Sequence, residues 1–426
     1  MSGIVQSNIL RSSGTIAAAA SGLNWVSTVV TASTLTAEAG NGYFINTTSN
    51  TCTITLPGSA EAGDQIVFVD YLRTWGTNKI ILDSNGLNYQ GQDDTFNVEY
   101  DTSGETVNIV YSGATKGWIP LDDDAVADVP VAPVTQKAIF GYGQTGSNNF
   151  VSITNLVNSS GVVATDVTGV GTARDDLAAS SYGYDKAIFA YGDDANPTAV
   201  SNLVNNVGVV ATDTTGVGTV RQNTAGASYG GDKGIFAYGE NSSGNTNQSN
   251  LVSNVGVVGT DVTGVGVLRT GLSAARYGTD KAIFGFGAAT GIGRVSTTNL
   301  VSNVGVISAD ITGVGTISRF KAAAGYGGDK AIFGYGYNNS NAVMSATNLV
   351  SNSGVVASDV GGVGSARYQL GAASYGGDKA LFAYGDTGSA TNISNLVNNS
   401  GVVATDVSGV GTSRFGLAGA GYSNSA

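Results

Sequence analysis

From residue 136 onward the chain alternates short apolar runs with small or polar ones, and the alternation itself repeats. The run QKAIFGYG at Gln136–Gly143 returns as DKAIFAYG, DKGIFAYG, DKAIFGFG, DKAIFGYG and DKALFAYG. Its lysines are Lys137, Lys186, Lys233, Lys281, Lys330 and Lys379, spaced by 49, 47, 48, 49 and 49 residues. A period of this length fits one propeller blade per repeat. Each unit reads as four short strands. A small-residue strand follows an arginine, a Gly-Asp-Lys type turn leads to KAIFGYG, a polar loop leads to NLV, and GVVATD closes the unit. In KAIFGYG, Ala138, Phe140 and Tyr142 alternate with Ile139 and Gly141. Both faces are then apolar, so each sheet needs a neighbour on either side.

The ends of the array complete each other. Gln136 enters directly at a second strand, and SRFGLAGAGYSNSA at Ser413–Ala426 is a first strand with nothing after it. Five whole units and one composite make six, and the expected fold for 136–426 is a six-bladed β-propeller closed by its C-terminal strand. The order of arginine, small-residue strand, aliphatic-aromatic strand ending in glycine, and later aspartate resembles kelch repeats. The chain departs from that pattern at the paired glycines, replaced by Gly-Tyr-Gly or Ala-Tyr-Gly, and lacks the tryptophan near the fourth strand.

Residues 36–119 carry a different rhythm. GYFINTT, TCTITLP, DQIVFVDY, NKIILD, TFNVEYD and ETVNIVY are alternating runs between Gly, Asn and Asp turns, which predicts a small antiparallel β-sandwich. Residues 1–35, rich in Ser, Ala, Thr and Gly, read as an extended arm. The acidic, proline-bearing stretch 120–135 reads as a linker. The opening MSGIVQSN and the segment GYFINTTSNTCTITLPGSAEAGDQIVFVDY are similar to N-terminal modules of bacteriophage tail-fibre and other virion-appendage proteins. That resemblance implies a virion location, docking on other virion proteins through residues 1–35, and a distal domain that recognises a host-surface receptor. A thin β-module with a weak arm also suggests a homo-oligomer, expected to be a trimer.

Charge and composition narrow the partners. The net charge is −12, against a nucleic-acid partner or an anionic membrane surface. No apolar run is long enough to insert into a membrane. The chain has no histidine and one cysteine, Cys52, so His-based triads, His metal sites and an intramolecular disulfide are excluded. No cofactor or metal is expected.

Six arginines open the units (Arg174, Arg221, Arg269, Arg319, Arg367, Arg414) and six aspartates recur near their ends (Asp166, Asp213, Asp261, Asp310, Asp359, Asp406). A residue present in every unit is what the fold demands, so these read as ion pairs or turn caps. The non-repeating acids Asp175, Asp176, Asp193, Asp194, Glu240 and Asp386 offer glycosidase chemistry no specific pair. Differences concentrate in the loop after the second strand and at the two residues after each arginine, which share one face. There Phe320, Tyr337, Tyr368, Phe415 and Phe150 supply rings, and Asn148, Asn149, Asn338, Asn339 and Gln369 supply hydrogen bonds. Such a face suits a glycan. The expectation is a non-enzymatic tail fibre that binds a host-surface glycan. The alternatives are a capsid decoration or head-fibre protein with a structural propeller, and a polysaccharide-degrading enzyme.

Overall fold

The computed structural model describes residues 23–94, 98–121 and 135–425. Among these the chain is all-β, built from many small sheets, and it divides into two compact units, 1–131 and 132–426. The arm as far as residue 22 and residues 122–134 of the linker lie outside the described residues.

The first unit is two sheets over one core, with strands near the six expected runs. One sheet is ordered Asn24–Trp25, Asn41–Ile45, Gln65–Asp70, Thr106–Tyr111, Trp118–Pro120. The other is ordered Thr34–Thr36, Cys52–Thr55, Ile80–Asp83, Val98–Tyr100. The expected antiparallel arrangement is corrected here. The first three strands of each sheet pair in parallel, and antiparallel pairing begins only at the fourth. Successive strands from Asn24 to Asp83 alternate between the sheets, so each returns to its own sheet in the same direction, which a hairpin never does. Asn24–Trp25 and Thr34–Thr36 also belong to these sheets, so the segment read as an arm contributes two strands. Trp75, Trp118, Ile54, Ile66, Phe68, Ile80 and Ile109 fill the core between the sheets.

The second unit holds six main sheets of three strands. Ala178–Tyr182, Lys186–Ala190 and Ser201–Val204 form one of them, and the same antiparallel order recurs four times. The sixth sheet is composite. Lys137–Gly141 pairs with Thr154–Val157 on one side and with Ala418–Tyr422 on the other. The expected fourth strand is not continuous. Val163 and Val167 each bridge the third strand at one point, and every repeat has the equivalent pair of bridges. Four residues against three cannot keep a ladder in register, so the edge bulges.

Neighbouring sheets are joined in the same way each time. The ring after each second strand packs edge-on against the phenylalanine of the next sheet: Tyr142 on Phe189, Tyr191 on Phe236, Tyr238 on Phe284, Phe286 on Phe333, Tyr335 on Phe382, and Tyr384 on Phe140. The series ends in the composite sheet where it began. These rings stand in left-handed backbone near φ +64°, past the strand end in five sheets and at a bulge within Lys379–Asp386 for Tyr384, which turns them out of the alternation read from sequence. The phenylalanines are fully buried, each contributing about 1.5–3 kcal/mol. A Cβ at Gly141 would come within 2.9 Å of Phe189, which is why a small residue stands between Phe140 and Tyr142.

Candidate binding face

The repeated arginine, aspartate and a third residue form one clasp in each repeat. Arg174 is fully buried and donates from Nη2 to Asn202 Oδ1 (2.8 Å), from Nε to the Tyr191 carbonyl (2.8 Å) and from Nη1 to the Thr172 carbonyl (3.0 Å). Its guanidinium lies 4.3 Å from the ring centre of Tyr142 in the preceding sheet. Asn202 donates in turn to Asp213 Oδ1, and Asp213 accepts the Thr172 amide and hydroxyl. Although burial pushes it upward, those hydrogen bonds hold Asp213 below the ordinary carboxylate range. The asparagine is therefore the link between arginine and aspartate, and sequence reasoning missed it. Asn155, Asn202, Asn250, Asn299, Asn348 and Asn395 all stand in the N of NLV and are fully buried. A polar residue invariant in so apolar a strand was the available signal. Direct arginine–aspartate contact occurs only between Arg221 and Asp261, at 3.8 Å, among the described residues. In the composite sheet the clasp joins the two ends of the array: Arg414 donates to Asn155 and to the Tyr142 carbonyl, and Thr412 donates to Asp166.

One repeat departs from this plan, and the reading of Arg319 as its clasp arginine is corrected. Alignment on the first strand Ala322–Tyr326 puts Ser318, not Arg319, at the clasp position. Ser318 is buried and its hydroxyl donates to the Thr316 carbonyl, replacing one arginine bond. Lys321 enters from a position held by leucine in four other repeats. Its Nζ is 3.4 Å from Asn348 Oδ1 and 4.7 Å from the ring centre of Phe286. Burial pushes this amine down to about 8, with Asp359 pulling the other way.

Two residues after each clasp position, the backbone takes left-handed φ between +48° and +64°, at Asp176, Asn223, Gly271, Phe320, Gln369 and Gly416. Each of these amides donates to the carbonyl of the one before it in this series, and the Asp176 amide donates to Gly416. Six bonds of 2.7–3.2 Å thus form a cycle around a shallow mouth lined by all six repeats. A second cycle of six runs at the other end of the first strands, from the Gly183 amide to Asp232 O through to the Ser423 amide and Asp185 O. Left-handed backbone is costly for a residue as bulky as Phe320, and the hydrogen-bond cycle imposes it on all six repeats.

The mouth is chemically divided. On one side Gln144 Nε2 donates to Asp175 Oδ2 and Gln369 Nε2 donates to Asp176 Oδ1. Burial, then the charges of Asp176 and Asp193, pushes Asp175 up to about 8, and burial pushes Asp176 up to about 6. The non-repeating acids therefore meet, although sequence offered no pair. On the other side, Tyr337 and Tyr368 pack edge-to-face at 4.6 Å and Phe320 lies 6.3 Å from Tyr368. The Tyr368 hydroxyl donates to Asp386 Oδ2. Arg294 stacks at 5.1 Å on Tyr337, and Arg319 at 4.6 Å on Phe320.

Three of the five expected rings thus come together, with Gln369 bordering the same mouth. Phe150 and Phe415 do not join that cluster. Their backbones bridge to Gln144, and among the described residues neither ring stacks on another. Asn338 is used internally, its Oδ1 accepting the Ser340 and Ala342 amides, and Asn149 is paired with Thr145. Asn148 and Asn339 are exposed. Arg294 was not singled out from sequence, and Arg319 only as one of the six unit-opening arginines. Among the described residues no group of three or more acidic or thiol side chains is placed to hold a metal ion. No protein-family model matches the chain, and no curated protein is significantly similar to it.

Proposed function

We propose that residues 136–426 are a six-bladed β-propeller closed by the C-terminal strand, and that its mouth binds a saccharide on a host surface. The closed form is supported by the two hydrogen-bond cycles, the ring-on-phenylalanine series and the composite sheet, each of which returns to its first member. The binding assignment is carried by one observation: Tyr337, Tyr368 and Phe320, from two adjacent repeats, cluster half-buried on the face where the repeats differ. Amphipathic rings beside a carboxylate acceptor such as Asp386 suit a sugar, which offers an apolar face and hydroxyl donors. A role as a virion appendage, a tail fibre, is supported by the N-terminal resemblance alone. The test applies the full-length chain to arrayed bacterial surface polysaccharides. Binding by the natural chain, lost in Tyr337→Ala/Tyr368→Ala at a melting temperature within a few degrees, is the expected result. Unchanged binding by that variant refutes the face, and no binding to any polysaccharide refutes the ligand class.

The neighbouring acids Asp175 and Asp176 favour a second reading, glycoside hydrolysis, because burial pushes both upward and a carboxyl held protonated is the equipment of a general acid. New reducing ends released by the natural chain, and abolished in Asp175→Asn, would establish it.

A further inference from the structure

We propose that the Arg294–Arg319 pair is a site for an anionic group, and that the saccharide recognised at the mouth carries a carboxylate. This rests on the saccharide reading above and specifies its chemistry.

Five repeats spend their arginine in the buried clasp, bonded to the strand asparagine. In the remaining repeat, serine and lysine divide that task between them, and the arginine stands one residue later. The displacement puts Arg319 on the two-residue strand Ser318–Arg319, paired with Tyr337 on the variable face. Two coupled changes, Ser at the clasp and Lys in place of a core leucine, accompany a guanidinium presented on the variable face beside Tyr337. Structural economy would have kept the arginine inside.

Its surroundings are prepared for a negative partner. Arg294 arrives from the hairpin Ala288–Ala289/Gly293–Arg294 of the preceding repeat and donates to Asn341 Oδ1 at 2.6 Å. Among the described residues neither arginine forms an ion pair with a carboxylate, although the chain carries a net charge of −12. Arg319 Nε is buried without an acceptor. The two cations also feel each other: burial, then the charge of Arg319, makes Arg294 easier to deprotonate than an ordinary arginine. An anion between them relieves that repulsion.

The rings hold the forks in place. Guanidiniums over Tyr337 and Phe320 cover one face of each ring and set N–H groups beside the ring of Tyr368. Phe320 is seated by its left-handed backbone and by Gly271, where a Cβ would stand 2.9 Å from the Phe320 ring. A planar fork on a fixed ring matches a carboxylate in two-point geometry. Asp386, its Oδ2 accepting from Tyr368 and its Oδ1 from the Gly388 amide, holds the Tyr368 ring in place.

The experiment arrays alginate, polygalacturonate and polysialic acid beside their carboxyl-reduced counterparts, a sulfated galactan and neutral dextran, and measures binding of the full chain. The expected result is binding to a carboxylated member, weakened at least tenfold on carboxyl reduction and falling steeply with salt. Arg294→Gln/Arg319→Gln should lose at least tenfold, and Arg294→Lys/Arg319→Lys should lose less. Arg294→Gln alone, in a partly exposed hairpin, gives the same readout should the double variant misfold. Equal binding of reduced and carboxylated forms, or undiminished acidic binding by a folded Gln variant, overturns the inference and leaves the saccharide reading standing. Binding confined to the sulfated galactan overturns the carboxylate assignment, and no binding to any member overturns both.

Discussion

Replacing Arg174 and Arg319 separately by alanine distinguishes a clasp arginine from a displaced one. Arg174→Ala strands three acceptors in a buried site: Asn202 Oδ1 and the carbonyls of Tyr191 and Thr172. Each orphaned acceptor costs about 1–3 kcal/mol, and loss of the stack on Tyr142 costs about 0.5–2 kcal/mol. Relieving the desolvation of the guanidinium and partial collapse of the site offset part of this, leaving about 3–5 kcal/mol, the usual range for breaking a buried charged contact from one side. Arg319→Ala removes only a half-exposed stack on Phe320, worth about 0.5–1 kcal/mol. At about 2–4 °C per kcal/mol for a domain of this order of size, the shifts are roughly 6–20 °C against less than about 4 °C. The chain supplies its own control. Trp25, Trp75 and Trp118 all lie in the first unit, so tryptophan fluorescence follows that unit while near-ultraviolet tyrosine dichroism follows chiefly the repeats. Arg174→Ala should shift the tyrosine transition and leave the tryptophan one in place. Equal destabilisation by the two substitutions would refute the one-residue displacement.

Restoring the common clasp with Ser318→Arg/Lys321→Leu should raise the melting point of the repeats, by about 1–2 kcal/mol in urea unfolding. Asp175 binds its proton more tightly folded than unfolded, so stability falls as pH rises from about 4 to about 8. Asp175→Asn should therefore match the natural chain near pH 4 and exceed it near pH 8, by on the order of one to a few kcal/mol, as thermal unfolding across pH will read. Gly305 has φ +82° and lies under Tyr229 of the preceding sheet, with a Cβ 2.9 Å from that ring and from Leu251, so Gly305→Ala should cost about 1–3 kcal/mol by the same tyrosine signal.

The strands were legible because alternation along KAIFG and NLV is a local property that burial on both faces dictates. The composite sheet was legible for a related reason: an array that begins with a second strand and ends with a first has one economical arrangement. What alternation does not encode is the partner of each strand, and the parallel half of the first unit was missed for that reason. The clasp was half visible. Arginine and aspartate recur conspicuously, but Asn202 and its equivalents sit inside NLV, where a strand pattern passes over them. Arg319 was misassigned because a one-residue slip leaves an arginine near its expected place. Only the register of Ala322–Tyr326 reveals that Ser318 and Lys321 took over. At the mouth, Asp175, Asp176 and Asp193 meet because a backbone bridge joins Asp175 to Asp193, a contact between strand ends that spacing does not reveal. Phe150 and Phe415 were grouped with the other rings by their shared face, yet a face does not fix which rings touch.

The claim on which the account depends is that the two ends of the repeat array meet within one chain and complete the mouth. Gln144 and Phe415, from opposite ends of the array, exchange backbone hydrogen bonds of 2.9 and 3.0 Å. Their Cα atoms are then about 5.5 Å apart, within disulfide range. Gln144→Cys/Phe415→Cys is oxidised at several dilutions and analysed intact and after digestion, which also identifies any link to the buried Cys52. The account requires one cross-link between positions 144 and 415 within a single chain, at a yield independent of concentration. Free thiols, or links that form only between chains and vanish on dilution, would contradict it.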